Sequence, residues 1–159
     1  MHWMILPFRR YFDFEGRSRR MEYWMFVLFN IFVFAVLAGP MFVSMVGIAL
    51  DPDMAGVSEQ VLEEAMMGTI TGITGIGLGL YGLYALAAFI PNIAVTVRRL
   101  HDRDMSGWWY LGFAIAGALP IVGLVASLIF LVLMFLPGTN GPNRFGEDPK
   151  NPYQADMFA

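Results

Sequence analysis

Between positions 101 and 106 the chain carries His101, Asp102, Asp104 and Ser106. These are the side chains whose types suit acid–base or nucleophilic chemistry. A histidine beside a carboxylate can pass a proton, and a serine hydroxyl becomes a nucleophile once a base takes its proton. Arg98, Arg99 and Arg103 surround them, with Arg17, Arg19 and Arg20 far upstream and Arg144 downstream. Guanidinium groups grip phosphates and carboxylates through paired hydrogen bonds, so anion binding is the second chemistry on offer.

Composition thins the first option. Zinc needs several convergent ligands. The one other histidine is His2 and there is no cysteine, so neither a metal site nor a cofactor is expected. Ser106 has no recognisable base and orienter, which leaves a hydrolase triad unsupported. His101-Asp102 reads better as a hydrogen-bonded loop lock, with Asp102 neutralising Arg98 or Arg99 at a helix end. At such an end the helix dipole alone favours an exposed cation by ~0.3–1 kcal/mol. No catalytic residue is assigned. The anion-binding reading keeps Arg17, Arg19, Arg20, Arg98, Arg99, His101, Asp102, Arg103 and Arg144 as one candidate ligand-binding set.

The elements that must position these residues are long and apolar. The 159-residue chain is 57% hydrophobic and 14% charged, against roughly 25% charged in a soluble domain. Residues 25–50, 65–97 and 108–136 contain no Asp, Glu, Lys, Arg or His. Each run exceeds the roughly 20 residues that cross a bilayer. The pattern predicts an all-α integral membrane protein, a single membrane domain over 1–159 built as a small bundle of three long segments. Gly39-Pro40 should kink the first and Pro91 should bend the second. Gly117, Pro120 and Gly123 interrupt the third, which is either one kinked, tilted helix or a re-entrant hairpin.

Residues 1–22 form an interfacial segment in which aromatic rings alternate with arginines, a mixture suited to the headgroup layer. Ser18 is the expected N-cap of the first long helix, and Asn30 the expected donor or acceptor of an interhelical bond. Residues 137–159 form a polar tail rich in turn formers. No cleavable signal is expected, because the arginines before the first run are spread too widely. Gly68, Gly72, Gly75, Gly79 and Gly82 alternate spacings of four and three. On one helix they would form a stripe for close helix packing.

Basic residues are segregated. Five lie in residues 1–22, three between Arg98 and Arg103, two in the tail, and none in the acidic loop 51–64. The positive-inside rule places the amino terminus and the central loop in the cytoplasm. The side of the carboxyl terminus depends on the shape of the third run.

Three segments stand out together. They are Phe12 to Trp24 around Gly16-Arg17-Ser18-Arg19-Arg20, then Arg98-Arg99-Leu100-His101-Asp102 through Ser106-Gly107-Trp108-Trp109, then Asn143-Arg144-Phe145-Gly146. In that order they resemble the bacterial inner-membrane domain-of-unknown-function family 805, the YhaH-type proteins, over nearly the whole chain. The resemblance implies a small protein of the bacterial inner membrane, which the apolar runs make multi-pass, and implies no catalytic role for any residue. The expected function is non-enzymatic: lipid binding to anionic membrane lipids, or contact with a membrane protein partner or a second copy in a homo-oligomer, through a cytoplasmic arginine-rich face. Nucleic acid is disfavoured, because the arginines sit at the membrane and the net charge is -3. The alternatives are a transport or channel subunit, which would favour an ionisable residue inside a span, and a membrane enzyme using His101 and Asp102 on a lipid headgroup.

Overall fold

The computed structural model describes residues 2–54 and 56–150. These form seven α-helices and no strand: α1 (His2–Arg9), α2 (Arg20–Leu37), α3 (Gly39–Leu50), α4 (Glu59–Thr71), α5 (Ile73–His101), α6 (Trp108–Gly117) and α7 (Pro120–Phe135), with a 3-10 turn at Pro52–Met54. Two of them, α2 and residues 74–101 of α5, are long and apolar enough to cross a membrane, whereas α3 and α7 are apolar but shorter. The protein divides into two compact units, residues 28–88 and residues 1–27 with 89–159.

Three unbroken long segments are therefore not what forms. The first run breaks at Ala38, and Pro40 then occupies the first turn of α3, where its missing N–H costs nothing. The second breaks at Gly72, which ends α4. The chain turns so tightly there that a Cβ on Gly75 would lie 1.6 Å from the Ile70 carbonyl oxygen. The third breaks after α6, and Pro120 again opens the next helix.

The third run is a hairpin, one of the two shapes its sequence permits. Helices α6 and α7 pack together. A Cβ on Gly123 would fall 2.5 Å from the Gly117 carbonyl oxygen, and the Phe113 and Phe130 rings meet at 5.3 Å. At 1.5 Å per residue the two helices are about 15 and 24 Å long, both short of the roughly 30 Å hydrocarbon core. Both ends of the hairpin return to the end of α5. The loop after His101 leads into α6, and Arg99 donates to the carbonyls of Met134 and Leu136 where α7 finishes.

In the unit of residues 28–88, the five-glycine stripe is divided between helices. Gly68 lies on α4, Gly72 at its end, and Gly75, Gly79 and Gly82 on α5. Cβ atoms on Gly68, Gly79 and Gly82 would meet nothing within 4 Å. Gly77, outside the stripe, makes the close approach instead: its Cβ would lie 2.3 Å from the Leu37 carbonyl oxygen at the end of α2. Register along the sequence pointed to a stripe because it assumed one helix across the Gly72 break. The same α2–α5 contact includes the expected interhelical bond, with the Tyr84 hydroxyl donating to Asn30 Oδ1 at 3.0 Å.

Burial is inverted relative to a soluble domain. Leu86 and Ile121 are 74% and 82% exposed, while Arg98 and Arg99 are 0% exposed. Large apolar side chains facing outward suit lipid, and charged groups inside require partners. Gly77→Ala should lower the thermal midpoint in detergent by an amount equivalent to ~1–3 kcal/mol of overpacking. Gly79→Ala, in open space, should leave the midpoint unchanged or raise it through helix propensity. The reverse order would place the close contact elsewhere.

Candidate functional site

The last turns of α5 carry the densest polar packing. Ala94, Val95 and Leu100 are buried around Arg98 and Arg99. Arg98 Nη2 donates to Glu22 Oε1 at 3.0 Å, across from the first turn of α2. Its Nη1 reaches the Asp13 carbonyl, so one guanidinium ties α5 to both α2 and the turn before it. Backbone reinforces this: the Ser18 N–H donates to the Arg98 carbonyl at 3.1 Å. Ser18 therefore does not cap α2. The Tyr23 N–H bonds the Arg19 carbonyl, and the Ser18 hydroxyl is buried with no partner among the described residues.

Asp102 is the hub. Its Oδ1 accepts from Arg17 Nε at 3.0 Å and pairs with Arg17 Nη2 at 2.9 Å, and its Oδ2 pairs with Arg99 Nη1. All three side chains are at least nine-tenths buried. Burying them is tolerable only because each charge is paired and hydrogen-bonded. The remaining Arg17 donors go to the carbonyls of Thr139 and Gly141, both at 2.6 Å. The tail is held reciprocally, since the Thr139 N–H donates to the Asp102 carbonyl at 2.8 Å. A Cβ on Gly138 would lie 2.0 Å from Asp102 Oδ2. Only glycine lets the tail pass this close to the carboxylate.

A second use of arginine closes α7. The last carbonyls of a helix lack intrahelical donors. Here Met134 and Leu136 accept from Arg99, Phe135 from Arg20 at 3.3 Å, and Pro137 from Arg103 at 2.6 Å. Three cations thus meet the negative end of the helix dipole.

His101 sits at the tail contact rather than beside a free carboxylate. Its Nδ1 is 3.2 Å from the Gly16 carbonyl, which only accepts, so that nitrogen carries the proton. The ring stacks on Phe145 at 3.9 Å. Asn143 donates to the His101 carbonyl at 2.9 Å. Arg144 pairs with Asp104, whose φ of 58° puts it in the left-handed region that aspartate tolerates better than most residues. Arg19 donates to the Pro149 carbonyl and lies 5.7 Å over the Trp3 ring.

Every member of the nine-residue set lies in the same unit. Arg17, Arg99 and Asp102 form one ion cluster, with Arg98 paired separately to Glu22. Arg19, Arg20, Arg103, His101 and Arg144 form a partly exposed rim bonded to nearby backbone. Asp102 serves two arginines, and among the described residues no bond joins its carboxylate to His101. No group of three His, Cys, Asp or Glu side chains placed for a metal occurs among the described residues. Sequence reasoning missed Glu22, Gly138 and Phe145. Glu22 had a signal, being the acid at the head of the first apolar run as Arg98 is a base at the end of the second. Gly138 reads only as a turn.

Two carboxyls outside the helices sit below their ordinary value near 3.8. For Asp148 the cause is first the Lys150 N–H and then, against a small opposing burial, the Gly141 N–H. For Asp13 burial alone would raise the value, but the Arg10 hydrogen bond and charge outweigh it.

Residues 11–147 match the family described as Protein of unknown function (DUF805). The chain is similar to inner membrane protein YhaI of Escherichia coli strain K12, 36% identical over 151 residues that cover 94% of this chain and 97% of that protein. It is similar to inner membrane protein YhaH of the same strain, 37% identical over 150 residues covering 94% and 98%. No solved structure matches. The chain belongs to the DUF805 family, and YhaI and YhaH are described as inner membrane proteins. Two of the segments that carry the resemblance build the cluster, Arg17 from the first and Arg99 and Asp102 from the second, and the third approaches it at Gly146, whose carbonyl lies 3.5 Å from Arg17 Nη1.

Asp102→Asn leaves two buried arginines facing a neutral group and should destabilise the fold by about 3–5 kcal/mol. Arg144→Gln, which breaks an exposed pair, should cost no more than about 1 kcal/mol. Thermal unfolding in one detergent orders the two, and equal losses would contradict the cluster's role. Asp148 is depressed, so its stabilisation is complete above its ordinary value near 3.8 and is lost as pH falls through the lower folded value. The protection factor of the Gly141 amide should fall below that range in the parent, and Asp148→Ala should show the low protection already near neutral pH.

Proposed function

We propose that the protein is a non-enzymatic, multi-pass inner-membrane protein that binds anionic lipid headgroups at its cytoplasmic face. One observation carries the reading: all ten Lys and Arg lie in the unit of residues 1–27 and 89–159, and none in residues 28–88. The positive-inside rule then puts the amino terminus, the central loop and the tail in the cytoplasm, with the acidic segment 51–64 outside. The hairpin of α6 and α7 begins and ends beside the end of α5, and entry and exit at one place fit a re-entrant segment.

The headgroup contacts fall to the rim. Arg9, Arg20, Arg144 and Lys150 are exposed and Arg19 and Arg103 half-buried, whereas Arg17, Arg98 and Arg99 are committed to internal partners. Each basic residue near an anionic surface is worth about 1 kcal/mol, or about fivefold in binding. An acid–base role has less support, since Asp102 neutralises arginines instead of polarising His101.

The chain has no cysteine, so single-cysteine labelling is clean. Cysteines at Met105 and Glu147 should react only after the inner membrane is permeabilised, and one at Gly56 should react in intact spheroplasts. Labelling of Glu147Cys from outside would overturn the re-entrant reading. Purified protein should retain phosphatidylglycerol over phosphatidylcholine in native mass spectrometry, and Arg9→Gln with Lys150→Gln should reduce that preference. Equal retention of both lipids by the parent would overturn lipid binding.

A further inference from the structure

Where α2 begins and α7 ends, Arg20, Met21, Trp24, Met25 and Phe135 line an open groove of about 360 Å³. The groove has one charged end and an apolar body. Trp24 lies flat on Phe135, with ring centroids 4.0 Å apart and planes 25° from parallel, which makes a rigid wall. On α7 the apolar surface continues through Leu131 and Val132, both exposed.

The charged end favours an anion. Arg20 is exposed and spends one N–H on the Phe135 carbonyl at 3.3 Å, from a guanidinium that carries five donors. Arg17 and Arg99 share the Asp102 carboxylate, with Asp148 also close enough to Arg17 to interact with its charge, so the groove's own cation is Arg20.

We infer that this groove seats one anionic glycerophospholipid, with its phosphate on Arg20 and part of an acyl chain along Met21, Met25 and Phe135. The inference rests on the lipid reading above and narrows it to a single site. A groove of this size lies at the low end of small-molecule sites, so it holds a stretch of one chain while the rest of the lipid stays in the bilayer. A free phosphate would use Arg20 but gain nothing from the apolar body. Tryptophan at the same level marks headgroup depth, where a lipid phosphate and the first methylenes of its chains lie.

The test uses the full-length protein in detergent, supplemented with phosphatidylglycerol or phosphatidylcholine and read by native mass spectrometry. The parent should carry one tightly retained phosphatidylglycerol per chain. Arg20→Gln should reduce that one-to-one species about fivefold. Met25→Trp fills the groove without altering charge and should reduce it at least as much. Glu63→Gln, an exposed one-charge change in the other unit, should leave the one-to-one species intact. Inorganic phosphate in excess should not displace the lipid. Thermal midpoints equal to the parent's confirm that each variant is folded, and Met21→Trp replaces any that is not. If Met25→Trp and Met21→Trp fold and retain phosphatidylglycerol like the parent, the seat is overturned while the general preference stands. If the parent shows no preference for phosphatidylglycerol, both readings fall together.

Discussion

The carboxylate of Asp102, held between the guanidinium groups of Arg17 and Arg99, is the interaction on which this unit depends. It joins three parts of the chain that are far apart in sequence. Arg17 comes from the turn before α2, Arg99 and Asp102 from the end of α5, and Arg17 and Asp102 together grip the tail at Thr139 and Gly141. Inside a low-dielectric site the desolvation of these groups is costly, and the pairing offsets that cost only with good geometry and few unsatisfied donors. Such a cluster contributes uniqueness as much as stability. Another packing of the same helices would strand one of the charges.

The arginines then divide by what they touch. Those inside bind carboxylates and turn carbonyls. Those at the margin close the end of α7. In water a helix end can rely on solvent for its last carbonyls. Where water is excluded a helix end needs protein donors, and a guanidinium with five N–H supplies several. Arg20, Arg99 and Arg103 supply them at the end of α7.

Much of this was legible in the sequence. The charge-free runs identified helices suited to lipid, Gly39-Pro40 marked a break that occurs at Ala38, and Asn30 does bond across to α5. The fate of Arg17 and Arg99 was not legible. Basic residues beside tryptophans read as a headgroup-facing patch, because local patterning cannot show that a tail some 40 residues on folds back over them. The glycine spacing does not form one stripe for a related reason. Periodicity is informative only within one helix, and the turn at Gly72 separates the stripe into two, so the close approach passes to Gly77. Gly138 carried no warning at all, since its role is set by a carboxylate reached through tertiary contact.

A double-mutant cycle between Arg17 and Asp102 probes this arrangement most directly. Arg17→Gln, Asp102→Asn and the two combined would be unfolded thermally in the same detergent, and their stabilities compared. Residues that share a buried ion pair should be strongly non-additive, with the double variant losing less than the sum of the singles by up to about 3 kcal/mol. Additivity to within about 0.5 kcal/mol would mean that the two side chains act independently, and that the tail and helices are held by something other than this cluster.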